Sequence, residues 1–160
     1  METSITSSVF TNEDIALRLA IATVAGLLLG LDRSMRGISA GIRTHALVSL
    51  SSAVITVSAL MLYGEIRALG EEGDLDPLRV IQGLAQAIGF IAAGAIFVSK
   101  GDVHNLTSAA NVWLAAAIGI CAGAGQLFLV LAATITGIIV LTIVRLVERY
   151  IPGSDKANED

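Results

Sequence analysis

Between Asp32 and His45 the chain reads DRSMRGISAGIRTH, which places one acid, three arginines and a histidine between two apolar runs. These residue types can do three things. A carboxylate beside a guanidinium forms a charge-assisted pair, a histidine moves a proton, and a histidine with suitable companions binds a metal. His45 has no neighbouring His, Cys or acid that completes a ligand set, and His104 lies far along the chain, so no metal site is expected. Asp32 closes an apolar helix, where the macrodipole disfavours an acid. It is therefore expected to pair with Arg33, Arg36 or Arg43. Two readings stay open. The segment is a charged interfacial turn that fixes orientation, or it is a buried polar cluster at the mouth of a helix bundle.

A second polar group, Asn105, Thr107, Ser108, Asn111 and Trp113, opens a later apolar run. Asn105, Thr107 and Ser108 are all suitable N-caps. Asn111 lies one turn further in and must find a partner. Ser108 and Asn111 share a helical face, as do Gln82 and Gln86 in the preceding run, so an interhelical hydrogen-bond network or a hydrated passage is expected between them. There is no glycine-rich phosphate loop ending in Lys and Ser or Thr, no nucleophile–base pair and no paired intramembrane carboxylate. Neither an enzyme nor a cofactor is expected.

What must position these residues follows from composition. The chain is 54% hydrophobic and 15% charged, against about a quarter charged in soluble domains. A lipid bilayer is the solvent that composition fits. A net charge of -4 excludes a nucleic-acid partner. Five runs approach the roughly 20 residues a helix needs to cross a bilayer: 15–31, 46–63, 80–98, 107–123 and 127–147. The last two are joined by Ala124, Gly125 and Gln126, which reads as a tight helical hairpin. The expected architecture is an all-α bundle of five transmembrane helices, with a polar N-terminus over 1–14, a membrane domain over 15–148 and a polar tail over 149–160.

Seven of the ten Lys and Arg residues fall in the first loop, the third loop and the tail. By the positive-inside rule these lie in the cytoplasm, with the N-terminus outside. The second loop carries Glu65, Glu71, Glu72, Asp74 and Asp76 and reads as a solvated, acidic outer segment. The residues before the first run include acids and no Lys or Arg, unlike a secretory signal, so that run is expected to remain as a span.

Small residues recur at close helical spacing: Ala22, Gly26 and Gly30; Gly89, Ala93 and Gly94; Ala115, Gly119 and Gly123. Such stripes let helix backbones approach where lipid supplies no hydrophobic drive. They are expected to pack the bundle, and a homo-oligomer such as a dimer is expected as well. Cys121, the one cysteine, reads as a small packing residue.

GLDR, AGIRTHALVSL, IGFIAAGAI and NLTSAANVWLAAAIG occur in that order. Together they resemble the membrane domain of the MgtC/SapB family, whose members read close to GLER, AGLRTHALV, IGFLGAG and GLTTAATLWVTAAIG there. The resemblance runs from about Gly26 to Gly125. It implies a multi-pass protein of the bacterial inner (plasma) membrane, a modulator of membrane physiology or magnesium homeostasis, with F-type ATP synthase as a partner. By position, Asp32 and Arg33 match the family's Glu-Arg pair, Arg43, Thr44 and His45 its Arg-Thr-His, and Thr107 to Trp113 its TTAATLW stretch. Asp32 is shorter than the family's glutamate, Ala92 replaces a glycine and Asn111 a threonine. The soluble C-terminal domain of virulence-associated members has no counterpart in these motifs, so mechanisms that need it are not expected. The expected function is a non-catalytic membrane regulator working through protein contacts. The alternative is a small oligomeric channel or transporter for Mg²⁺ or another ion.

Overall fold

The apolar runs form helices whose lengths suit a membrane. In the computed structural model, which describes residues 10–38, 40–70, 76–99 and 102–148, the long helices are α1 (Asn12–Met35), α2 (Ile42–Ala68), α3 (Leu78–Ala95), α4 (Leu106–Gly123) and α5 (Leu127–Ile139). Helix α5 runs on through a π-helical turn, Val140–Val144, into a last turn, Arg145–Glu148. All five, with α5 taken together with its continuation to Val147, are long and apolar enough to cross a membrane. The acids Glu71, Glu72 and Asp74, together with Lys100 and the tail from Arg149, lie outside the described residues.

Local chemistry sets the helix ends. Thr11 and Asp14 form a reciprocal capping box at the start of α1, with the Thr11 hydroxyl accepting the Asp14 N–H at 3.2 Å. Helix α1 does not stop where the apolar run does. It carries Asp32 and Arg33 in its last turns, so the charges are helical residues and not loop residues. Helix α3 ends at Ala95, earlier than the expected 98, because Phe97–Ser99 (β1) pairs antiparallel with Asp102–His104 (β2). The α4–α5 link is the tight hairpin expected. Gly125 sits at φ +79°, a left-handed conformation that glycine adopts without steric cost.

Helices α1, α2 and α4 form the core, with α5 against α1 and α4, and α3 outside on α4. The buried side chains are mostly alanines, Ala22, Ala25, Ala53, Ala115 and Ala122, around Leu29 and Ile118. Such a core holds because backbones meet. A Cβ added at Gly26 would lie 2.5 Å from the His45 carbonyl oxygen, one at Gly30 2.6 Å from Ile42 Cα, and one at Gly123 2.7 Å from the Ala53 carbonyl oxygen. At Gly119 it would collide with the Ser49 carbonyl. The small residues of α1 and α4 therefore seat both helices on α2. Those of α3 do not pack the bundle. Ala93 and Gly94 are exposed, and a Cβ at Gly89 or Gly94 would meet nothing within 4 Å.

Polar links supplement this packing. The Ser49 hydroxyl donates to the Ala22 carbonyl at 2.8 Å, joining α2 to α1 inside the core. At the opposite end from the Asp32 segment, Arg18 reaches across from α1. Its Nη1 donates to the Gly123 carbonyl at 2.7 Å, satisfying one of the unpaired carbonyls that end α4. Its guanidinium also lies over the Phe10 ring at 4.3 Å.

Candidate functional site

Adjacent residues on a helix point about 100° apart, and this separates Asp32 from Arg33. Arg33 turns inward and is 3% exposed, the one Lys, Arg, Asp or Glu buried among the described residues. Its guanidinium donates to the Ser108 hydroxyl in the first turns of α4. Asp32 turns outward. It pairs with Arg36 one helical turn on and with Arg145 from the end of α5, at 3.6 Å. Of the three arginines expected as its partner, Arg36 fills the role. Arg145 is a partner that the loop reading missed. The signal was present, since Arg145 falls at the same end of the bundle by span alternation. The π-helical turn just before it redirects the helix face.

The start of α2 is built into the same end. Ala40 takes a left-handed φ of 55°, and the chain turns there into Gly41. Helix α2 has no side-chain cap of its own. Instead the Ser34 hydroxyl, on α1, accepts the Ile42 N–H at 2.6 Å. His45 is fully buried, and its Nδ1 donates to the Gly41 carbonyl at 2.9 Å. A carbonyl can only accept, so in the neutral ring Nε2 is the acceptor. That atom is buried with no hydrogen-bond partner among the described residues.

Asn111 is 3% exposed, and both of its amide atoms are likewise buried without a partner among the described residues. It borders a groove of about 350 Å³ between α4 and α5, otherwise lined by Thr107, Thr136 and apolar residues including Leu114, Ala133 and Leu141. Asn105 stands at the N-cap of α4 but does not cap it. It adopts φ +66°, and its Nδ2 donates to the Ala95 carbonyl at 3.1 Å, fastening the hairpin to the end of α3.

The sequence-derived cluster therefore divides. Arg33, His45, Ser108 and Asn111 are buried within α1, α2 and α4. Asp32, Arg36 and Arg145 form a half-exposed ion-pair group beside them. Arg43, Thr44, Thr107 and Trp113 are exposed, because they fall on the faces of α2 and α4 that look away from the core. The expected network between Gln82 or Gln86 and Asn111 is not formed. Helix α3 meets α4 through Leu84 and Ile88 against Ala116, which puts both glutamines on its outer side. His104 stacks on Phe97 at 5.0 Å within the β-hairpin and does not join His45.

The site can hold a guanidinium inside a membrane bundle and clamp α1 to α4, while a carboxylate outside the core ties α1 to the end of α5. Among the described residues no three His, Cys, Asp or Glu side chains come together.

The comparisons with known proteins agree with this architecture. The chain is 35% identical over 127 residues to YhiD of Escherichia coli (strain K12), covering 79% of this chain and 59% of that protein. It is 35% identical over 127 residues to Protein MgtC of Brucella abortus (strain 2308), covering 79% and 50%. It is 32% identical over 123 residues to Protein SapB of Bacillus subtilis (strain 168), covering 72% and 50%. The chain thus spans between half and three-fifths of the length of these relatives. No solved structure matches. The MgtC family matches over residues 19–150, which take in α1 from Leu19 onward, the other four long helices and the whole Arg33–Ser108 site. With relatives this similar, the chain is a multi-pass membrane protein that belongs to the MgtC family.

Proposed function

We propose that this chain is a non-catalytic regulator of the bacterial inner membrane that acts by contact with another membrane protein. The observation that carries the reading is the charge inside the core. The buried ionic group is the guanidinium of Arg33, held by Ser108, while Asp32 faces outward onto Arg36 and Arg145. A buried cation raises the electrostatic cost for a divalent cation passing between α1, α2 and α4. The backbone contacts at Gly26, Gly119 and Gly123 also leave no room for one there. The orientation that fits is N-terminus outside, with the Arg33 end of the bundle in the cytoplasm by the positive-inside rule.

The partner class follows from family resemblance and is F-type ATP synthase. The test is co-reconstitution of this chain with that enzyme in sealed vesicles, with proton-driven ATP synthesis as the readout. Synthesis should fall as the ratio of this chain to enzyme rises. It should recover with Arg33→Gln, provided that variant inserts and folds. Unchanged synthesis at saturating ratio contradicts this partner.

One relative, YhiD of Escherichia coli, has the words "magnesium transporter" in its name. Transport by this chain would need a path outside the three-helix core, and the groove beside Asn111 is the nearest candidate. Its largely apolar lining offers a hydrated cation few oxygen ligands.

A further inference from the structure

Helix α3 carries two glutamines that the bundle does not use. Gln82 and Gln86 are exposed, and neither side chain bonds to another described residue. Gln86 is the ninth residue of an 18-residue span, so its amide sits near the middle of the hydrocarbon layer. A bare amide there is costly, because lipid offers no hydrogen bond.

Four hydroxyls of the other spans avoid that cost on their own helices. Thr23 donates to the Leu19 carbonyl at 2.7 Å, Ser51 to Leu47 at 2.8 Å, Thr56 to Ser52 at 2.8 Å and Thr134 to Val130 at 2.7 Å. The glutamines make no such bond, so their partners must come from outside this bundle.

We infer that α3 is the seam of a homodimer, in which Gln82 and Gln86 bond to the same residues of a second copy. Three observations select a second copy as the occupant. First, an amide both donates and accepts, so it is complementary to itself. Second, two copies inserted with the same orientation are related by an axis along the membrane normal. That symmetry brings each residue opposite itself at equal depth. Third, Gln82, Gln86, Gly89 and Ala93 are spaced four, three and four apart, the repeat of a two-helix seam. The glycine and alanine are open to close approach: a Cβ at Gly89 would meet nothing within 4 Å, and Ala93 is exposed. The opposite face, with Leu84, Ile88 and Ala92, is already buried in the bundle. This inference goes beyond the regulatory reading and does not depend on it.

The test uses the full chain with Cys121→Ser as background. Single cysteines are placed on the seam as Gln82→Cys and Ala93→Cys, and off it as Ile91→Cys and Leu131→Cys, both exposed positions. Oxidative cross-linking in native membranes should link copies at the two seam positions and not at the others. The Ala93→Cys variant keeps both glutamines, so its cross-link does not depend on losing an amide. Energy transfer between labelled copies in lipid vesicles should report a dimer that Gln86→Leu weakens on the order of tenfold. A monomer in vesicles, a dimer indifferent to Gln86→Leu, or cross-linking that favours Ile91 or Leu131 overturns the proposal.

Discussion

Arg33 and Ser108 stand 75 positions apart in the chain, yet the buried guanidinium of one donates to the hydroxyl of the other. This contact joins the end of α1 to the start of α4 and defines the interior of the site. Replacing Ser108 with alanine removes an acceptor from a buried charge, at a cost of about 1.5–3 kcal/mol. Thermal unfolding of the purified protein in detergent should fall by several degrees. Arg33→Lys should not restore the wild-type value, because an ammonium lacks the planar fork of the guanidinium. Equal stability of Ser108→Ala and the wild type would remove the contact from the account.

The ion-pair group outside the core should behave differently. Asp32 and Arg145 keep substantial side-chain exposure, 38% and 23%, so solvent screening limits their coupling to below about 1 kcal/mol. A double-mutant cycle of Asp32→Asn with Arg145→Gln should return a small coupling that shrinks further at high salt. A coupling of several kcal/mol would mean that the carboxylate is more enclosed than its exposure indicates.

Glycine positions separate into two kinds. Gly119→Ala places a methyl group against the Ser49 backbone and should destabilise by about 1–3 kcal/mol through forced separation of α2 and α4. Gly83→Ala meets nothing within 4 Å and should be neutral or mildly stabilising through better helix propensity. Unfolding in a denaturing detergent series checks both. Equal effects would contradict the assignment of α4, and not α3, to the packed core.

Arg18 carries a separate prediction. It satisfies the Gly123 carbonyl at the α4–α5 turn, and its guanidinium would lie 2.7 Å from a Cβ at Gly125. Arg18→Gln should cost about 1.5–3 kcal/mol, as for other bonds to a charged group. It should also speed hydrogen exchange at 124–126. Exchange unchanged at that turn would show that the hairpin holds itself.

How much of this was legible in the sequence depends on the kind of signal. The five spans were readable because each must be apolar over nearly its whole length, a constraint on composition that tertiary packing cannot alter. The stripes on α1 and α4 were readable as packing faces. The stripe on α3 looked the same, because small residues at helical spacing mark a close approach without saying to which helix. The burial of Arg33 and exposure of Asp32 depend on how far α1 is rotated about its axis, and α1 continues past the apolar run that seemed to end it. Gln82 and Gln86 were placed opposite Asn111 by adjacency in sequence, but Leu84 and Ile88 took that face of α3. Arg145 was hidden for another reason: the π-helical turn before it breaks the 3.6-residue period used to assign faces.

The central claim is that the core of this protein holds a cation in place and does not conduct one. The direct measurement is Mg²⁺ entry into sealed vesicles containing the purified, folded chain and an entrapped magnesium indicator, with Asp32→Ala and Arg33→Gln vesicles alongside. The account predicts entry equal to that of protein-free vesicles for all three. Entry well above that background in the wild type, and lost in Asp32→Ala, would contradict it and make the charged end of the bundle part of a transport path.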